Sequence, residues 1–118
     1  AWYGDPAFDL AFCLNHMLLK CLWRPKWREH YLACYDALAS NYLARVVWEP
    51  RAAIEARVAH LLPGLFLARV DGKSPAEYLT EESDKERVRR VARRFLLVPA
   101  DQLTAIREAW NTELCTTS

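Results

Sequence analysis

The stretch GDPAFDLAFCLNHMLLK, Gly4 to Lys20, decides the fold. Asp5 ahead of Pro6 is a good N-cap followed by proline at the first helical position, where its missing N–H is not needed. From Pro6 to about Trp23, Ala, Leu, Phe, Cys and Met fall on nearly every side of the helix this start predicts. A helix that is apolar on most sides is a buried one. The remaining chain has to supply the surfaces it packs against.

Those surfaces are helical too. Three glycines, six prolines and few β-branched residues stand against a dominance of Ala, Leu, Arg and Glu, which favours helix over strand throughout. Tyr31, Leu32, Tyr35, Leu38, Ala39 and Tyr42 recur three or four apart and predict a second helix from Lys26 to about Val46. Pro50 opens a third, with Ile54, Val58, Leu61 and Leu62 on one side, which Pro63-Gly64 is expected to stop. Leu65 to Val70 is a continuous apolar segment of open form, and Asp71-Gly72 reads as a turn. Ser74-Pro75-Ala76-Glu77 is a capping box that predicts a short helix carrying Tyr78 and Leu79. A second box, Ser83 to Glu86, opens a helix turning Val88, Val91, Ala92, Phe95 and Leu96 to the core. The last helix, about Asp101 to Leu114, buries Leu103, Ile106 and Trp110. The fold class is all-α, five to six helices in one domain over residues 1–118.

Two strings carry a family resemblance. Gly4-Asp5-Pro6-Ala7-Phe8-Asp9-Leu10-Ala11, continued by Asn15-His16-Met17-Leu18-Leu19-Lys20, resembles the aminoglycoside phosphotransferase family and its choline-kinase-like relatives. ARVDGKSPAEYL, Ala68 to Leu79, is similar to a second signature of the same relatives, and the two occur in the family's order. The resemblance implies the C-terminal helical part of a small-molecule kinase, without its N-terminal lobe. Gly4, Asp5, Pro6, Asp9, Asn15, His16, Asp71, Gly72, Ser74 and Pro75 are the family-motif residues. In the family, the Gly-Asp-Pro segment follows an Asp-Trp-Glu metal-binding strand end and a His-Gly-Asp catalytic loop. The sequence contains neither, nor a glycine-rich phosphate loop. Phosphoryl transfer rests on positioned Mg²⁺, a base and a phosphate cradle. No residue here is therefore assigned as catalytic, cofactor-binding or metal-binding. ATP and Mg²⁺ enter only if a separate kinase lobe is supplied.

What remains is a substrate-binding lobe. The family's helical region walls the acceptor cleft, and the resemblance makes the Lys20 to Tyr42 segment a contributor. Asp9 matches the aspartate that braces the catalytic loop; without that loop it is expected in solvent, favourable to the helix dipole, or on a new donor. Removal of the loop bares apolar surface, which predicts a two-fold homodimer through residues 1–23 or docking of a kinase N-terminal lobe. A non-enzymatic helical interaction module is the alternative.

Other features read more plainly. Lys plus Arg at 16 against Asp plus Glu at 15 leaves net charge +1, which gives no bulk drive toward nucleic acid or membrane. The arginines from Arg87 to Arg94 surround an apolar stripe and are balanced by Asp84 and Glu86, so they read as a solvated face. No apolar run reaches the roughly 20 residues that cross a bilayer. No nucleophile-bearing elbow or carboxylate partner is fixed near His16, His30 or His60 by sequence spacing, and they read as surface or core histidines. Trp2, Trp23, Trp27 and Trp48 fall near helix junctions. Cys13, Cys21, Cys34 and Cys115 read as buried thiols of a reducing cytoplasm. Cys13, His16 and Cys21 form no ligand set at finger spacing.

Overall fold

Pro6 begins α1 where the sequence places it. The computed structural model describes residues 6–72 and 79–116. Its elements are α1 (Pro6–Trp23), a 3₁₀ turn (Pro25–Trp27), α2 (Arg28–Ala44), α3 (Arg51–Asp71), α4 (Glu82–Leu97) and α5 (Leu103–Cys115), with no strand among the described residues. Gly4, the Asp5 cap, and the Ser74-Pro75 capping box with Tyr78 lie outside them. Leu79, inside them, is buried but not helical.

α1 is the centre of the assembly, packed on α2 and α3; α4 lies on α3, and α5 touches α2, α3 and α4. Ala7, Ala11, Leu14, Leu18 and Leu19 are wholly excluded from solvent. Trp110 of α5 ties the far side to this helix: its indole N–H donates to the Leu18 carbonyl at 2.9 Å, and its ring meets Phe66 edge-on at 4.9 Å. The Tyr35 hydroxyl donates to the Leu103 carbonyl at 2.7 Å and so pins α2 to the start of α5.

Several expectations need correction. α3 does not stop at Pro63-Gly64 but runs on to Asp71, absorbing the segment of open form from Leu65 to Val70. An internal proline removes one ladder bond and crowds the carbonyl four residues earlier, at about 3 kcal/mol. Against that, Ile54, Val58, Leu62, Phe66 and Val70 form one unbroken buried stripe, and ending the helix at Pro63 would pull Phe66 and Val70 out of it. Burial of each such side chain is worth about 1.5–3 kcal/mol, so the helix continues. At its end Gly72 donates its N–H to the Ala68 carbonyl at 2.8 Å, and an added Cβ would lie 2.4 Å from that oxygen, so only glycine fits this approach.

The Ser83 to Glu86 box does not cap α4, which starts at Glu82 after an extended Glu81 with no side-chain cap. The Glu86 carboxylate is instead drawn to Arg89 at 2.9 Å, beside Glu82 at 2.6 Å. α2 begins at Arg28, because Pro25 to Trp27 closes a tighter turn. α5 begins at Leu103, after an extended Gln102, and the Asp101 carboxylate lies 2.9 Å from His60 Nε2. Leu38 and Leu96, assigned to the core by period alone, are 38% and 46% exposed. Of the four thiols only Cys21 is buried; Cys13 and Cys115 are exposed and Cys34 half-buried.

The buried thiol and phenol make the fold sensitive to base. Burial pushes Cys21 up from 9.0 to about 11, and burial with the nearby Asp36 and Glu55 charges pushes Tyr35 above its ordinary 10.0. Both groups are acids whose folded pKa exceeds the unfolded one, so their neutral forms contribute stability fully below the unfolded pKa. That contribution is lost as pH rises through the folded value. The urea midpoint is therefore expected to fall progressively from pH 9.0 to about 11, and Cys21→Val to flatten part of the fall. A midpoint constant across this window contradicts the assignment.

Candidate functional site: an acidic cleft between three helices

Tyr35, Asp36, Ala39, Ser40 and Leu43 share one side of α2, as spacings of one, four, five and eight residues require. This side, Glu55 of α3, and Leu103, Thr104, Arg107 and Glu108 of α5 enclose a cleft of about 520 Å³. Buried Tyr35, Ala39 and Leu103 contribute its apolar part. Its polar groups are fixed by one another. The Arg107 Nε donates to both Asp36 oxygens at 3.2 Å, and Nη1 donates to Glu108 at 3.1 Å. Glu55 Oε2 accepts the Leu103 N–H at 2.9 Å, satisfying a donor that the first turn of α5 leaves free.

Two of the three lining carboxylates thus hold the single guanidinium, and the third, Glu55, is taken up by the Leu103 amide. The Asp36 and Glu108 side chains remain 45% and 66% exposed, so each keeps acceptor capacity toward the opening. Such a lining suits a small cationic, hydroxyl-bearing molecule. The Ser40 and Thr104 hydroxyls add neutral donors and acceptors. Among the described residues, no histidine or cysteine lines the cleft.

The family-motif residues do not gather there. Asp9 is exposed, as expected, and lines a second groove of about 430 Å³ with Leu10, Cys13, Leu38, Asn41, Tyr42 and Arg45. Asn15 is 0% exposed in the core, and neither its amide oxygen nor its nitrogen has a hydrogen-bond partner among the described residues. His16 is half-buried against Phe12, ring centres 4.6 Å apart; burial, then the Arg69 and Lys20 charges, hold its imidazole below the ordinary value. Asp71 sits at the α3–α4 corner, where Arg89 donates to both its oxygens and holds its carboxyl below the usual range. Gly72 follows it as the cap, and Pro6 is an exposed first residue of α1. Gly4, Asp5, Ser74 and Pro75 are not among the described residues.

Long-range pairing supplies what short spacing hid. His60 has a carboxylate partner after all, Asp101. Arg87 pairs with Asp84, Arg89 with Asp71, Glu82 and Glu86, and Arg90 with Glu113, so much of the arginine face is engaged by carboxylates. Among the described residues no helix is long and apolar enough to cross a membrane, and no three His, Cys, Asp or Glu side chains converge as a metal site. No family model, curated protein or solved structure matches the chain.

Proposed function

We propose that the chain is the acceptor-binding helical lobe of an aminoglycoside-phosphotransferase-like protein, which holds a cationic small molecule and transfers no phosphate on its own. The observation that carries this reading is the cleft in which Asp36, Glu55 and Glu108 outnumber Arg107. Four of its lining residues, Tyr35 to Ser40, fall in the segment that the family resemblance marks as acceptor wall. The phosphotransferase strings, and the lack of any His-Gly-Asp triplet, agree with binding uncoupled from chemistry. Four free cysteines suit a reducing cytoplasm.

Calorimetric titration with an aminoglycoside, beside an uncharged oligosaccharide of similar size, tests it. Saturable binding of the cation alone is expected, weakened by salt and about tenfold by Glu108→Gln or Asp36→Asn, as loss of roughly 1.4 kcal/mol implies. Indifference to both substitutions, or equal binding of the uncharged sugar, sinks the reading. Turnover of ATP with Mg²⁺ by the chain alone removes its second half.

A second reading, a non-enzymatic module working as a homodimer through residues 1–23 or completing a separate kinase lobe, has its own support. Phe8, Phe12 and Trp23 are 43%, 41% and 44% exposed along one edge of α1, with the two phenylalanine rings stacked 6.4 Å apart. Apolar edges of this kind mark association surfaces. One chain per particle by light scattering at tens of micromolar, with no capture of a kinase lobe, removes this reading.

A further inference from the structure

The side of α2 turned away from the core is not polar. Trp27, at the end of the 3₁₀ turn, and then His30, Cys34 and Leu38 follow at intervals of three, four and four residues, which places them on one outward face. Trp27 is 51% and Leu38 38% exposed, His30 is exposed, and Cys34 is half-buried. At the middle of this face His30 Nε2 lies 3.8 Å from Cys34 Sγ. Trp27 and Tyr31 flank the imidazole, with ring centres 6.2 Å and 5.8 Å away.

That separation has a chemical meaning. A zinc ion takes nitrogen at about 2.0–2.1 Å and thiolate sulfur at about 2.3 Å in a tetrahedron, which puts two such donors about 3.6 Å apart. The pair seen here is within a few tenths of an ångström of that spacing, on a rigid helix. No third His, Cys, Asp or Glu converges with them among the described residues, so one chain provides half a coordination sphere. We propose that His30 and Cys34 are a half-site for a zinc-class divalent ion, completed by the same two residues of a second copy across a two-fold axis.

The donor set and symmetry agree. Two thiolates and two neutral imidazoles around a divalent ion sum to zero charge, and sulfur with imidazole selects zinc-like metals over magnesium or calcium, which take oxygen. An isologous contact repeats each patch on both partners, so one axis through the ion brings both pairs together and faces the exposed Trp27 and Leu38 toward the other copy. Binding takes Cys34 as the thiolate and so releases its proton. This face is distinct from the acidic cleft, and at Leu38 it adjoins the groove that Asp9, Leu10 and Cys13 of α1 line; neither earlier reading has to hold for it.

The test uses the full reduced chain, freed of metal, with Zn²⁺ for mass and Co²⁺ for spectroscopy. Expected are one metal per two chains, a doubling by sedimentation of whatever mass the metal-free chain has, and cobalt d–d and thiolate charge-transfer absorption of a tetrahedral site. His30→Ala and Cys34→Ser each lose both responses, whereas the double variant Cys13→Ser/Cys115→Ser keeps them. Zn²⁺ also shields Cys34 of the unaltered chain from maleimide, a readout that needs no variant to fold. One metal per chain, doubling that survives Cys34→Ser, loss of the response in the Cys13/Cys115 variant, or unshielded Cys34 overturns the proposal.

Discussion

Trp110→Ala is expected to lower the unfolding free energy by about 3–5 kcal/mol, the range for emptying a large aromatic site in a core. Trp110 is wholly buried and is the largest of the fully buried side chains. Truncation removes its transfer free energy and leaves a cavity bounded by α1 and α3 that rigid helices cannot close. It also removes the indole bond to the Leu18 carbonyl and the edge-on contact with Phe66, the latter worth about 0.5–1.5 kcal/mol beyond area. A domain of this size holds only about 5–15 kcal/mol in all, so the loss is a large share of the total. Trp110→Phe, which keeps the ring and loses the donor, should fall between the two. Urea titration followed by helical circular dichroism measures both; a shift under about 1 kcal/mol for the alanine variant shows that α5 is not held through this residue.

How far these contacts were readable depends on their span along the chain. α1 was readable in full, from Pro6 to Trp23, because a proline start and all-round apolarity are local facts. The continuation of α3 was not. Pro63-Gly64 is a strong local break signal, and only the packing of Phe66 and Val70 against other helices shows why it loses. Leu38 and Leu96 carry the right period, but period places a residue on a stripe and not at its buried centre; what packs opposite decides that. The capping box failed by competition, since Glu86 had a nearer guanidinium than the amide it was to reach.

The cleft was readable only as a segment. Asp36 meets Arg107 across 71 positions and Glu55 meets Leu103 across 48, separations at which no spacing rule operates. His60 and Asp101, 41 apart, escaped for the same reason. In contrast His30 and Cys34 are four apart on one helix, so their juxtaposition was written locally. Spacing alone does not show that the pair faces outward; the packing of α2 decides that.

Asn15→Leu should move stability the other way, upward by about 1 kcal/mol. The Asn15 side chain is 0% exposed, and both of its polar atoms lack partners among the described residues. Stranding a buried polar group costs about 1–3 kcal/mol, because its bonds to water in the unfolded chain are not replaced. Leucine shares the branching of asparagine at Cγ but is larger; the neighbouring turns already present Ala11, Leu18 and Leu19 as buried apolar company, so the exchange removes the penalty and opens no cavity, while the added bulk offsets part of the gain. Asn15→Asp should be the least stable at neutral pH, since it places an unpaired charge at a site with no donor to meet it. A carboxyl there has a folded pKa above its unfolded one, so its deficit is largest when both states are ionised and shrinks as falling pH protonates it. The expected order is leucine above asparagine above aspartate, with the last gap closing toward acid. Destabilisation by leucine of more than about 1 kcal/mol, with Asn15→Ala destabilised as well, contradicts the stranded-amide reading.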